Sequence, residues 1–215
     1  MTKSKVTTGL ALIVLSAAAV LFTGCRNTAG GKPVDGAGSG GGGNSGAGGG
    51  GVLLDTAVLT LSSDKLDIKV KAVTADGSPV TVEGCTETEL PSGTETELHA
   101  QGTRVTLKGK ITELHCGGNQ LTALNVQGLS ALKELYCSGN KLNAAAFKQL
   151  FTGLPQREES DNAKCILYTE KTGVSEGNHT DFTAPPDLAD AFNRAKTVKK
   201  WKMYKEDASG NWVEI

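Results

Sequence analysis

Two stretches of the chain carry the same order of apolar and polar positions. ITELHCGGNQL, from 111 to 121, and LKELYCSGNKL, from 132 to 142, put Ile111 and Leu132, Leu114 and Leu135, Cys116 and Cys137, Asn119 and Asn140, and Leu121 and Leu142 in equivalent slots, 21 residues apart. A fixed period of this length marks a stacked supersecondary unit, so the repeated cysteine and asparagine read first as architecture. Leucine and cysteine two positions apart fall on one side of a short strand, with the residue between them on the other. The cysteine there is a small core hydrophobe. The asparagine sits where the chain turns off the strand, and its amide can pair with backbone groups of adjoining turns.

Around this repeat the pattern changes character. Val70, Val73, Val80, Val82 and Leu90 lie among Thr, Asp, Gly and Pro, which predicts short strands and turns, and TELHA at 96–100 echoes TELHC at 112–116. Residues 52–110 are therefore expected to form a β-rich N-terminal cap with degenerate repeats, leading into the repeats proper at 111–155. Asn143 is placed to cap a helix whose apolar face is Phe147, Leu150, Phe151 and Leu154, with Gly153 and Pro155 ending it. KCILY at 164–168 predicts a further apolar strand. Pro185-Pro186-Asp187 opens a second helix with Asp187 as its cap and Leu188, Ala191, Phe192 and Ala195 on its buried face. The last fifteen residues, WKMYKEDASGNWVEI, predict a hairpin about the turn at 207–211, so that 156–215 supplies a last rung and a closing cap. The fold class expected from this pattern is α/β: a short leucine-rich-repeat solenoid of parallel strands with an irregular or helical convex side, between a β-rich cap and a helix-plus-hairpin cap.

The first fifty residues follow neither pattern. Lys3 and Lys5 precede an apolar run from Gly9 to Phe22 that closes on Thr23-Gly24-Cys25, the layout of a secretory signal. The run is short for a membrane span and is followed by glycine in place of a charged stop. Phe22-Thr23-Gly24-Cys25 resembles the lipobox of bacterial lipoproteins, with Phe where leucine is usual, as in the looser boxes of spirochaete lipoproteins. The resemblance implies a signal peptide at 1–24 and acyl chains such as palmitate on Cys25, each buried CH₂ contributing roughly 0.8 kcal/mol to membrane anchoring. From 26 to 51 the chain is nearly all Gly, Ala, Ser and Asn, including GGGGNSGAGGGG, and cannot bury enough apolar surface to order itself. The expectation for 25–51 is a lipidated cysteine and a disordered tether reaching about 25–30 Å.

The repeats, with cysteine in the strand and a Ser-Gly-Asn turn, resemble bacterial leucine-rich-repeat lipoproteins of the treponemal type, and CILYTEK followed by KKWKMYKEDASGNWVEI resembles their tail. The resemblance implies a protein exported and lipid-anchored in the bacterial cell envelope, at the outer membrane or cell surface, with a role in adhesion or other protein contacts and no catalytic residue. Two full units are fewer than most adhesive members of that group carry.

Composition adds exclusions. The formal net charge is −1 and the basic residues are scattered apart from Lys199, Lys200, Lys202 and Lys205, so no nucleic-acid footprint is present. His115 and Cys116 are strand neighbours whose side chains face opposite ways and cannot readily share a metal, and the chain has no Cys-x-x-Cys pair. No cofactor, metal or catalytic residue is therefore expected. Cys116 and Cys137, on adjacent parallel strands, are expected as free thiols because a disulfide in a regular ladder stores strain. The pairing of Cys85 and Cys165 is left open. A binding surface is sought on the strands' outward side, at Thr112, Glu113 and His115 on one rung and Lys133, Glu134 and Tyr136 on the next. Leu114, Cys116, Asn119, Leu121, Leu135, Cys137, Asn140 and Leu142 form the repeat core beneath it. Partners are then a protein or host-surface ligand at that face and a membrane through Cys25, with the chain a monomer. The contrasting expectation is a structural or antigenic envelope lipoprotein with no specific ligand.

Overall fold

A computed structural model describes residues 55 to 215. The expected signal peptide, the acylated Cys25 and the glycine tether lie outside the described residues. Six strands precede the repeats: β1 (Thr56–Leu61), β2 (Asp67–Thr74), β3 (Val80–Glu83), β4 (Glu89–Leu90), β5 (Thr96–His99) and β6 (Arg104–Lys108). The repeats supply β7 (Ile111–His115), β8 (Leu121–Asn125) and β9 (Glu134–Tyr136), and helix α1 (Ala144–Gly153) follows. After a 3-10 turn at Glu159–Asp161 come β10 (Lys164–Thr169), helix α2 (Pro186–Thr197), β11 (Lys202–Glu206) and β12 (Trp212–Glu214).

These elements build two sheets. One has five strands in the order β4-β3-β6-β1-β8, every neighbouring pair antiparallel. The other has seven in the order β12-β11-β10-β9-β7-β2-β5. Only β7, β9, β10 and β11 run parallel, and β2, β5 and β12 close the sheet with antiparallel pairings.

This architecture overturns the expected leucine-rich-repeat solenoid. The protein is mostly β-sheet, with mixed pairing and two helices. The physical reason lies in how few copies of the unit there are. A repeat cannot bury its apolar face alone and needs at least three stacked copies for a solenoid. Here Leu114 and Leu135 pair as parallel rungs, but the next partner on the N-terminal side is β2, which runs the other way. The second half of the first unit, Leu121–Asn125, leaves the rung altogether and pairs antiparallel with β1 in the other sheet. Strands β1 to β6, from 56 to 108, occupy places in both sheets.

A single buried apolar cluster joins the layers. Strand β2 shows why its residues enter it: Ile68, Val70, Ala72 and Thr74 alternate with more exposed neighbours and are buried on one side. Helix α1 forms as the apolar spacing predicts. Asn143 Oδ1 accepts from the Ala146 amide at 2.9 Å, and Phe147, Leu150 and Phe151 are buried. Helix α2 starts without a side-chain cap. Pro185 holds the cap position and Asp187, in the first turn, pairs with Lys148 of α1 at 2.6 Å. All four phenylalanines among the described residues, Phe147, Phe151, Phe182 and Phe192, pack ring to ring beneath the two helices. Trp201 is buried and donates its indole N–H to Pro155 O at 2.8 Å, tying the C-terminal segment to the end of α1. The run of C-terminal lysines is paired off locally: Lys199 donates to the last carbonyls of α1, Lys200 meets Glu159, Lys202 meets Asn162 and Lys205 meets Glu170. Among the described residues no helix is long and apolar enough to cross a membrane.

Candidate functional site

The rungs β7, β9 and β10 have two sides, and the inner one is a ladder of asparagines. Asn119 Nδ2 donates to Lys69 O and Cys116 O, and its Oδ1 accepts from the Lys69 amide. Asn140 Nδ2 donates to Cys116 O and Cys137 O, while its Oδ1 accepts from the amides of Asn119 and Leu121. Asn178 continues the series, donating to Cys137 O and Leu167 O and accepting from the Leu142 amide. All three side chains are buried; Asn119 joins its turn to strand β2, and Asn140 and Asn178 each join one turn to the next. Gly118 and Gly139 precede the first two with φ of +71° and +68°, a left-handed geometry that suits glycine. Gly177 precedes the third for another reason: a Cβ there would lie 2.5 Å from Asn140 O.

Leu114, Cys116, Leu121, Leu135, Cys137 and Leu142 are buried. All four cysteines among the described residues are buried free thiols. Burial holds Cys116 well above its ordinary range, contact with Cys165 and burial do the same for Cys137, and burial pushes Cys85 up to about 11. For Cys85, Cys116 and Cys137 such surroundings disfavour the thiolate, the nucleophilic form.

The outer side carries the aromatic groups. In register His115 of β7 lies opposite Tyr136 of β9, and their rings stack with centroids 3.8 Å apart and planes 24° apart. Trp212, from the C-terminal hairpin, meets Tyr136 edge-on at 5.3 Å. It does so from β12, which lies beyond β11 and β10 in the sheet, and Ile166 of β10, in line with Tyr136, is buried. Trp212 is still 46% exposed and its neighbour Val213 41%. The row is flanked by charge. Glu134 pairs with Lys164 at 3.1 Å and accepts from the Tyr136 hydroxyl at 3.2 Å, and the Lys164 ammonium stands 5.1 Å from the Trp212 ring centroid. Burial first, then Glu134, raises Tyr136 far above its usual range, so the phenol stays a donor. His115 is lowered, chiefly by burial and then by Lys71, which lies opposite it on β2, and is neutral at pH 7. Its Nε2 is shielded from solvent without a hydrogen-bond partner, the Glu113 carboxylate being 3.9 Å away.

Of the outward residues singled out from the sequence, Glu113, His115, Glu134 and Tyr136 come together in two adjacent rows. Thr112 and Lys133 share the parity of Leu114 and Leu135. Thr112 donates to Val73 O, and Lys133 pairs with Asp161 of the 3-10 turn. Trp212 and Asn178 were not singled out. The Gly-Asn pair at 177–178, matching those at 118–119 and 139–140, was a usable sign of the third ladder residue. Trp212 had no comparable sign, because its place depends on the pairing of β11 and β12 at the edge of the sheet. Beyond His115 the outer face opens into a groove of about 490 Å³ lined by Asp64, Asp67, Glu95, Glu97, Lys65 and Lys69 among others. Among the described residues no group of three or more His, Cys, Asp or Glu side chains is placed to hold a metal ion. No family model, curated protein or solved structure matches this chain.

Proposed function

We propose that this chain is a lipid-anchored cell-envelope protein that binds a protein partner through the His115–Tyr136–Trp212 row. The observation that carries the reading is the exposed Trp212 set against the stacked His115–Tyr136 pair on a solvent-facing sheet. Aromatic side chains held by neighbours, with little rotamer freedom left to lose, are the anchors that dominate protein interfaces. The ring geometry favours a protein over a sugar. His115 and Tyr136 turn their faces to one another, leaving ring edges at the surface, and edges suit apolar and aromatic side chains in T-shaped contact better than they suit a flat sugar ring. The anchor is read from Cys25 and the preceding signal-like run. The reading is one of binding, with Glu134 and Lys164 beside the rings engaged with one another.

The test is capture from envelope extracts and host matrix proteins on the immobilised full chain, compared with the double variant His115→Ala, Tyr136→Ala. A partner retained by the parent and lost from the variant supports the reading. Identical capture by both would favour a structural envelope protein without a specific ligand.

A further inference from the structure

We infer that the partner segment docking on this face is basic as well as apolar, with a lysine or arginine entering the groove beside His115 while an apolar side chain covers the aromatic row. The inference rests on the protein-binding reading above and adds the chemistry of the occupant. His115 belongs to both halves, stacking on Tyr136 at one side and lining the groove at the other, so the two surfaces are continuous.

Charge complementarity identifies the occupant. Two of the groove's charged groups are already engaged: the Lys65 ammonium donates to Gly118 O at 2.8 Å, and Asp64 lies 3.7 Å from Lys141. Asp67, Glu95 and Glu97 take part in none of the ion pairs among the described residues. Lys69, opposite Glu97 in register, is the second lining cation beside Lys65. With Asp64 offset by Lys141, three carboxylates against the two ammonium groups of Lys65 and Lys69 leave the groove net anionic beside an apolar strip, an arrangement that steers a cationic segment and fixes its register. Lys71, opposite His115, bounds the acidic stretch and repels such a segment.

The experiment uses the full chain and three fluorescent synthetic peptides of equal length, alternating Arg with Leu, Glu with Leu, and Arg with Ser. The Arg-Leu peptide should bind, with affinity falling as salt rises from ~50 to ~500 mM. The double variant Glu95→Gln, Glu97→Gln should weaken it by about tenfold, Tyr136→Ala with Trp212→Ala should weaken it at least as much, and Lys71→Gln should tighten it. Asp190→Asn, on α2, should leave it unchanged. Equal or tighter binding of the Glu-Leu peptide, or indifference to the groove variant, overturns the inference. Equal binding of the Arg-Ser peptide also overturns it, because attraction between charges would then suffice without the aromatic row. If the peptide arms fail while the His115, Tyr136 variant still loses its captured partner, protein binding at this face stands and only the basic character is wrong.

Discussion

The inner and outer sides of the same three rungs are built by opposite rules. On the inside one residue type recurs, Asn119, Asn140 and Asn178, and each amide satisfies backbone groups of its own rung and of a neighbouring element, strand β2 for Asn119 and the preceding turn for the other two. On the outside no type recurs: His115 lies beside Tyr136, then Ile166, and Trp212 arrives from a distant hairpin. A buried amide has to meet fixed backbone donors and acceptors, so one residue type fits each rung. A solvent-facing position has no such requirement and is free to differ from rung to rung. A cysteine and an asparagine, the residues that first suggest chemistry, thus belong to the frame, and the candidate site is the irregular side.

The sharpest way to break this comparison is to remove the middle amide. Asn140→Ala takes the acceptor from two buried amides, those of Asn119 and Leu121, whereas the carbonyls it served keep a second donor in Asn119 and Asn178. At roughly 1–3 kcal/mol for each stranded group, a loss of about 3 kcal/mol is expected by chemical denaturation. Asn178→Ala should cost less, since the Leu142 amide is the one donor it strands. Equal, small losses at both positions would mean that the ladder is not what holds the rungs in register.

How much of this was legible follows the same division. The strand parity of Leu114 and Cys116, the Asn143 cap and the face of α1 depend on neighbours a few residues apart, and the sequence carries them directly. The global fold did not follow, because two copies of a unit look the same whether stacked on further copies or on antiparallel strands, and it is β2 that stands beside β7. The third rung shows the limit in detail. Leu167 occupies the level of Cys137, yet its asparagine does not come three residues later. A loop intervenes, and Glu176 accepts from the amides of Gly139, Thr169, Gly177 and Asn178 to bring Asn178 into place. On the outer side the partners of His115 and Tyr136 were within reach of the sequence, whereas the place of Trp212 depends on how the edge strands β11 and β12 pair onto the sheet.

A second, smaller effect is expected in the frame from Cys137→Ser. The thiol is fully buried, and its best polar neighbour is Ile166 O at 3.5 Å, too far for a good hydroxyl bond. The variant should lose about 1–3 kcal/mol, measured by the same denaturation. On the recognition side, Tyr136→Ala should cost about 1 kcal/mol, from the lost ring pairs with His115 and Trp212, while removing partner capture. If Tyr136→Ala unfolded the protein as thoroughly as Asn140→Ala, the outer row would be part of the frame and the comparison would fail.

The smallest effect is in the pH dependence, and it separates the two rungs' histidines. His99, at the far edge of the seven-stranded sheet, is held above its ordinary value by the Glu87 carboxylate, 2.7 Å from Nδ1. His115 is held below it by burial and Lys71. Proton NMR should therefore show two titrations on opposite sides of the free value of 6.5. The signs for stability differ accordingly. The raised His99 contributes fully below 6.5, and its contribution is lost as pH rises through its folded value. The depressed His115 contributes above 6.5 and is lost as pH falls through its own. Glu87, drawn down to about 2 by the His99 amide and ring, contributes above its ordinary 4.5 and is lost as pH falls toward 2. The Glu87–His99 pair is thus complete between pH 4.5 and 6.5. The Tm difference between the parent and Glu87→Gln should peak in that window and shrink on either side, remaining small and salt-sensitive because the pair is exposed. A difference that stayed flat from pH 3 to pH 8, on the order of that whole range, would show that the pair does not form.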